Sequence, residues 1–350
     1  MSKAFIYDLT PLELTETLNA LEQPGFRTKQ LLQGLYNKLY QDFDEFDAIP
    51  KSLRETLDNQ FEITPLKLHS TVYSKNKDTE KVLFETHDGH LIETVLMRFE
   101  RRNTLCISTQ VGCPMACVFC ATGQQGFARN LSMAEILGQF IHFQRELRQK
   151  NEALRNVVFM GMGEPFLNYE NVSNSLYALS DPERLGVGAR HITVSTVGVI
   201  PRIAQFAKDH PQVNLAISLH APDDALRTKL LPANKQFPLD KLMKACRDYV
   251  KETNRKITFE YALIDQLNDT TEHAHAFAKQ LKGILSIVNL ITLNPSKEYP
   301  YPGSSTMRVQ NFRNVLVSHG VRVTVRLRRG IEINAGCGQL AGSIKSNDII

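Results

Sequence analysis

The chain has 350 residues, 42% hydrophobic and 22% charged, with 41 Lys plus Arg against 37 Asp plus Glu for a net charge of +4. That composition supports a packed core and excludes a disordered or fibrous chain; the length carries about two domains, or one large catalytic unit with an appendage. No apolar run nears the roughly 18 residues of a membrane-spanning helix, and the opening Met1-Ser2-Lys3 stretch turns polar too early for a secretory signal, so a soluble cytoplasmic protein is expected.

Residues 8–60 read as helices. Thr10-Pro11-Leu12-Glu13 is a capping box with proline at the first helical position, followed by Leu14, Leu18 and Leu21 on one face. Phe26 to Tyr40 repeats the spacing through Leu31, Leu32, Leu35 and Leu39, and Pro50 opens a short third helix. Over residues 69–99 the period becomes two, with strands at Lys81–Thr86 and Leu91–Phe99 around the turn His87-Asp88-Gly89-His90. One face of the second strand carries Leu91, Glu93, Val95, Met97 and Phe99. Glu93, the lone acid there, has two readings: a strand-edge residue reaching water, or a partly desolvated carboxylate with a raised pKa, suited to take a proton.

From about residue 104, short apolar strands alternate with helices. Strands are expected at Leu105–Thr109, Val157–Met160, His191–Ser195, Asn214–Ser218, Ile257–Tyr261, Val288–Thr292 and Val321–Val325, with helices such as Met133–Arg148, Leu239–Thr253 and Thr271–Lys282 between them. This alternation implies an α/β parallel sheet, doubly wound or barrel-like, with its chemistry at the C-terminal ends of the strands.

Four of the six cysteines, Cys106, Cys113, Cys117 and Cys120, fall within fifteen residues. A structural zinc site wants paired CxxC ligands and a ferredoxin-type cluster wants four cysteines. Cys113-Pro-Met-Ala-Cys117-Val-Phe-Cys120 offers three thiolates directly after a strand, which matches a cubane iron–sulfur cluster with one iron left open. Downstream strands end in Gly161-Met162-Gly163-Glu164, Ser195, Ser218-Leu219-His220 and Asn294. Glycines allow close backbone approach to a ligand, and an acid at a strand end can accept from an ammonium group.

Cys337 stands among glycines, as an exposed thiol would, and Cys106 lies seven residues before the cluster motif. Two such thiols near an open cluster fit covalent chemistry with a disulfide that forms and is reduced, or else two inert buried thiols. Cys246 reads as helix core. Residues 305–350 hold seven basic and two acidic side chains, whereas residues 1–70 hold seven basic and eleven acidic. A nucleic-acid footprint and a solvated basic helix both produce such a basic segment.

CxxxCxxC in this setting resembles the enzymes that use S-adenosylmethionine (SAM) for radical chemistry. The wider set is similar to the RlmN/Cfr family of radical-SAM RNA adenine methyltransferases, and to its carbon-2 branch. That set comprises Phe26-Arg27 with Lys29-Gln30, Ile92-Glu93-Thr94, Gln110 through Gly123, Gly126-Phe127 with Arg129-Asn130-Leu131, Met160 to Pro165, Ser218 to Pro222 and Cys337-Gly-Gln-Leu340. Glu332 and Gly336 depart from the Asp and Ala usual in the family.

The resemblance implies a partial (β/α)6 TIM-like radical-SAM barrel with a small N-terminal helical domain and a β-hairpin extension. Its segments are 1–68 (helical, RNA-binding accessory), 69–98 (hairpin linker carrying Glu93), 99–330 (radical-SAM core) and 331–350 (C-terminal segment carrying Cys337). It implies a [4Fe-4S] cluster on Cys113, Cys117 and Cys120, and SAM held by Gly163, Glu164, Ser195, Ser218, Leu219, His220 and Asn294. The implied reaction methylates carbon 2 of an adenine in 23S rRNA, and of one beside the tRNA anticodon, using two SAM per turnover. Cys337 carries the methyl group, Glu93 removes the carbon-2 proton, and Cys106 releases the product by pairing with Cys337. A flavodoxin-type donor would supply electrons. The rival within the family is Cfr-like carbon-8 methylation.

Overall fold

A computed structural model of the protein describes residues 3–294, 299, 301–326 and 328–342. Its centre is a ten-stranded sheet whose order follows the chain. We number its strands β1 (Leu66–Tyr73), β2 (Thr79–Thr86), β3 (Leu91–Phe99), β4 (Arg102–Cys106), β5 (Leu154–Phe159), β6 (Ile192–Thr196), β7 (Asn214–Ser218), β8 (Ile257–Leu263), β9 (Ser286–Thr292) and β10 (Arg322–Val325). From β4 to β10 every neighbouring pair is parallel; β1 to β4 pair antiparallel. A parallel run laid down in chain order with helical crossovers is the singly wound, barrel-type alternative, here left open. The central strands are short and apolar because helices and the barrel interior cover both faces: Leu215, Ala216 and Ile217 on β7 are all fully buried.

The hairpin strands continue the main sheet through the β3–β4 pair. The first strand of this extension, β1, has no counterpart among the expected elements. The turn after β2 closes as expected, with Gly89 at φ +80 and Thr86 N donating to His90 O at 2.8 Å. The expected strand Leu105–Thr109 starts earlier, at Arg102, and stops at Cys106. Beyond it the backbone turns to satisfy other partners: Ser108 N donates to Gln139 Oε1, and Thr109 N to Met162 O.

The N-terminal helices are Pro11–Ala20, Phe26–Leu32 and Lys51–Gln60, and of these the first carries a side-chain cap. Thr10 and Glu13 make the reciprocal capping bonds. The second helix continues as a π-helical stretch over Gln33–Lys38 and ends on Leu39 in the left-handed region. This unit docks on helix Met133–Gln149: Asp8 Oδ1 accepts from Ala134 N at 2.7 Å, and Arg145 donates to the carbonyls of Leu39 and Tyr40. Its apolar side chains, Leu14, Leu31 and Leu57 among them, join the same hydrophobic core as the barrel. None of the described helices is long and apolar enough to cross a membrane.

Candidate active site

The three motif cysteines lie on the loop that leaves the short strand Gln110–Gly112. Gly112 has φ +73, and Cys113 N donates to Gly126 O at 2.7 Å, which fixes where the loop begins. Cys120 N donates to Cys117 O (3.1 Å), and Val118 N to Leu230 O (3.1 Å). All three cysteines line one cleft of about 930 Å³ at the C-terminal edge of the barrel, together with Gly163, Glu164, Ser195, Ser218, His220, Asn294 and Cys337. Nine of the ten expected cluster and cosubstrate residues thus meet in one place. The exception is Leu219, which is fully buried in the core and does not line the cleft. Its backbone explains its position, since its N–H donates to Glu260 O and its carbonyl accepts from Arg227.

Whether these residues suit an iron–sulfur cluster can be judged from the donor set and its surroundings. Among the described residues no three His, Cys, Asp or Glu side chains converge tightly enough for a single metal ion. Three thiols that share one cleft wall without converging on a point suit the wider span of a multi-iron cluster. Burial pushes the Cys113 thiol up to about 12 and Cys117 well above the ordinary cysteine value. Metal coordination is what would deprotonate such thiols. Beneath them lies Arg227, with no exposed surface, its pKa lowered to about 10 chiefly by burial. Its hydrogen bonds go to neutral acceptors, the carbonyls of Val197, Ser218, Leu219 and Phe237 and the side-chain oxygen of Asn234. A buried cation so placed is a natural counter-charge for thiolates bound to iron, and the site fits the group.

The residues expected to hold the cosubstrate are held as firmly. Gly163 has φ +104, and a Cβ there would stand 2.6 Å from the Gln110 Cβ. Glu164 is buried, its Oε1 accepting from Phe166 N (3.0 Å) and its Oε2 from Val197 N (2.8 Å). Burial raises its pKa to about 7 against the pull of those two N–H groups. His220, at φ +59, accepts from Ala262 N on Nδ1 (2.9 Å), so its proton sits on Nε2. Burial, with Arg227 adding to it, lowers its pKa to about 3 and keeps the ring neutral. Ser195 Oγ and Ser218 Oγ lie 3.4 Å apart, and Asn294 Nδ2 donates to Cys337 O (3.5 Å).

A second cavity, of about 1270 Å³, adjoins the first. Cys106 lines it, as do Val95, Met97 and Phe99 from one face of β3, and Arg102, Arg328 and Arg329. Cys337 and Arg326 line both cavities. Cys337 is exposed, while Cys106 is buried, with its pKa raised to about 12 by burial first and by Cys337 second. Both thiols are free.

Glu93 is neither at a wet edge nor unpaired. It is buried, its Oε1 lies 2.7 Å from the Lys81 Nζ, and its Oε2 accepts from Ala341 N (2.5 Å) and Gly342 N (3.1 Å). Neither sequence reading anticipated Lys81, because the pairing depends on β2–β3 register. Glu260, buried on β8, was also missed, although a lone acid in the apolar run Ile257–Leu263 is the signal that singled out Glu93. The basic C-terminal segment is partly neutralised internally: Arg308 makes a two-pronged pair with Asp269, and Arg329 pairs with Asp78. Pro295, Lys345 and the end of the 331–350 segment beyond residue 342 lie outside the described residues.

An open parallel barrel with three cysteines and a glycine–glutamate turn at its C-terminal edge is the architecture of a radical SAM enzyme, and the Radical SAM superfamily model matches residues 107–278. The model described as Ribosomal RNA large subunit methyltransferase N-terminal domain matches residues 6–63. The chain is 46% identical over 336 residues to the probable dual-specificity RNA methyltransferase RlmN of Geobacillus kaustophilus, covering 96% of this chain and 92% of that one. It is 45% identical to the dual-specificity RNA methyltransferase RlmN 1 of Myxococcus xanthus, covering 98% and 96%. Its structure matches the crystal structure of a radical SAM methyltransferase from Sphaerobacter thermophilus with a TM-score of 0.94 at 44% identity, covering 97% of this chain and 100% of the other. The chain belongs to the RlmN family of radical SAM RNA methyltransferases.

Proposed function

We propose that the protein methylates carbon 2 of an adenine in 23S rRNA near the peptidyl-transferase centre, and of an adenine beside the tRNA anticodon, through an S-methyl group carried on Cys337. The observation that carries this reading is the position of Cys337, on the shared wall of the cysteine-lined cleft and of the cavity that holds Cys106. The dual-specificity names of the relatives support two RNA substrates.

Carbon 2 of adenine has no lone pair to attack a methyl sulfonium, so direct polar transfer fails there. Two SAM per turnover, with a [4Fe-4S] cluster and electrons from a flavodoxin-type donor, supply a methyl group and a radical able to activate it. Cys113, Cys117 and Cys120 hold the cluster, and Glu164, Gly163, Ser195, Ser218, His220 and Asn294 hold SAM. Cys337 accepts the methyl group and presents it to the base in the second cavity. Glu93 stands in the row of β3 side chains whose next members, Val95, Met97 and Phe99, line that cavity, and the turn at Ala341–Gly342 covers it. Lifting that turn frees Oε2 to take the carbon-2 proton. The Cys106 thiolate then attacks the Cys337 sulfur: an S–S bond forms, the S–CH2 bond to the base breaks with its electron pair on carbon, a proton completes the methyl group, and a thiol reductant reopens the disulfide before the next turnover. Residues 1–68 serve as an accessory RNA-binding unit, and the enzyme works in the cytoplasm.

In the test, Cys337→Ala keeps its iron and loses methyl transfer, while Cys106→Ala accumulates RNA joined to Cys337. Undiminished turnover by Cys337→Ala, or clean product release by Cys106→Ala, contradicts the covalent route.

A further inference from the structure

Arg326 follows β10 and is anchored by its backbone, whose N–H donates to Leu290 O at 2.9 Å. Its side chain is only about one-third exposed, and its Nη1 lies between two candidate anions: 3.9 Å from Cys337 Sγ and 3.8 Å from Glu260 Oε2. The same nitrogen is 3.8 Å from Met160 Sδ. Glu260 projects from the middle of β8 with a side chain only 5% exposed. Its Oε1 accepts from Asn289 Nδ2 at 2.9 Å, but its Oε2 is buried with no hydrogen-bond partner. A buried carboxylate oxygen left in that state costs free energy, and the guanidinium is the cation placed to offset it.

We propose that Arg326 is a positioning residue for Cys337: its guanidinium holds the sulfur at the junction of the two cavities, while Glu260 keeps the guanidinium there. This rests on the reading of Cys337 as methyl acceptor. The balance of the transfer explains why one cation has two anions. The thiol first gives its proton to solvent. The sulfur lone pair then forms the new S–CH3 bond, as the methyl–sulfonium bond breaks with its electron pair going to the departing S-adenosylhomocysteine. A thiolate has become a neutral thioether, so Arg326 has lost one partner. Glu260 Oε2 remains, and closing the 3.8 Å gap to it draws the guanidinium away from the methylated sulfur. The fully charged pair also satisfies the unpartnered oxygen. A cation near a thiol raises its thiolate fraction and its rate of alkylation. The electrostatics of Arg326 agree, since Cys337 is the largest influence on its raised pKa and Glu260 a lesser one in the same direction.

The experiment uses cluster-loaded protein without SAM, treated anaerobically with iodoacetamide at fixed neutral pH, with each cysteine followed by peptide mass spectrometry. Arg326→Gln slows alkylation of Cys337 by about tenfold. Arg326→Lys restores part of that loss. Glu260→Gln takes away the anchor of the guanidinium and slows the reaction too, by less than Arg326→Gln. A merely structural role for Arg326 predicts the opposite sign for Arg326→Gln, because a loosened 326–342 segment would expose the thiol further. Alkylation of Cys337 in Arg326→Gln as fast as in the parent protein, or faster, overturns the proposal, and alkylation in Glu260→Gln as fast as in the parent protein, or faster, overturns the part given to Glu260. Absence of S-methylcysteine at position 337 in the parent protein after incubation with SAM would sink the acceptor reading while leaving the alkylation result intact.

Discussion

Gly112 sits one residue before the first of the three motif cysteines, with φ +73, and a Cβ built on it would stand 2.1 Å from the Gly126 carbonyl oxygen. That carbonyl is the acceptor for Cys113 N, so a methyl group there displaces the bond that starts the cysteine loop. Gly112→Ala is therefore expected to destabilise the fold by about 2 kcal/mol or more, from left-handed strain and the clash together. It also lowers the iron bound per chain, measured by metal analysis after anaerobic reconstitution. Full iron loading with an unchanged melt would contradict this account of the loop. At this scale the sequence was most informative where chemistry needs rare residue patterns. The cysteine spacing, the glycine–glutamate turn and the isolated Cys337 were each visible without coordinates, and the structure gathers them around one cleft. Partners brought in by tertiary register were not legible. Lys81 reaches Glu93 only because β2 and β3 align Leu83 with Glu93. Arg227 lies eight positions beyond Leu219, yet it meets the Val197 carbonyl from another strand end.

Helix Met133–Gln149 shows how one element is tied to the sheet beside the site. Ser132 and Glu135 form its capping box, and Glu135 also receives Arg129 through two bonds of 2.8 Å. Arg129 makes two more, each 2.7 Å, to Asp88 in the β2–β3 turn. The guanidinium holds the Asp88 carboxyl well below the usual carboxylate range. Arg129→Met leaves the Glu135 carboxylate, 1% exposed, without that cation. The expected loss is about 2–3 kcal/mol, discounted from the fully buried case because Arg129 itself is partly solvated. Denaturant melts of the variant and the parent protein measure it, and a change under about 0.5 kcal/mol, the range of ordinary surface substitutions, would contradict the assignment. Element types were legible because hydrophobic period and caps are local signals. Asn214–Ser218 forms the strand its composition predicts, and Thr10 caps the helix it should. Boundaries were less so. The strand expected at 105–109 gives way beyond Cys106 because Gln139 and Met162, both distant in sequence, take up its hydrogen bonds. The π-helical stretch at Gln33–Lys38 has no signature in the leucine spacing that announces a helix.

For the molecule as a whole, pH acts through buried histidines and carboxyls in opposite directions. His210 is buried, with Ser173 Oγ 2.7 Å from its Nε2, and burial lowers its pKa from 6.5 to about 4. Below pH 6.5 the unfolded chain binds a proton there that the folded one refuses, so this contribution is complete above 6.5 and is lost as pH falls towards 4. Glu164, raised to about 7 by burial, does the reverse: the folded state holds its proton more tightly, and stability gains as pH falls from 7 towards 4.5. A comparison of variant with parent isolates the histidine. The stability of the parent protein relative to His210→Gln is expected to fall by about 2 kcal/mol between pH 7 and pH 5, following the linkage relation. A pH-independent difference would mean that His210 titrates normally. The uneven charge along the chain was also legible, but its meaning was not, because Arg308 and Arg329 are already paired with Asp269 and Asp78. Arg102, Arg326 and Arg328 line the second cavity, beside Cys106 and Cys337.

The most direct test of the central claim is one anaerobic reaction. Protein reconstituted with iron and sulfide is incubated with SAM, dithionite and a 23S rRNA fragment, and the digested nucleosides are read by mass spectrometry. The account predicts 2-methyladenosine, absent from a parallel reaction with Cys337→Ala. 8-Methyladenosine, or unmodified rRNA from a cluster-loaded protein that cleaves SAM, would contradict it.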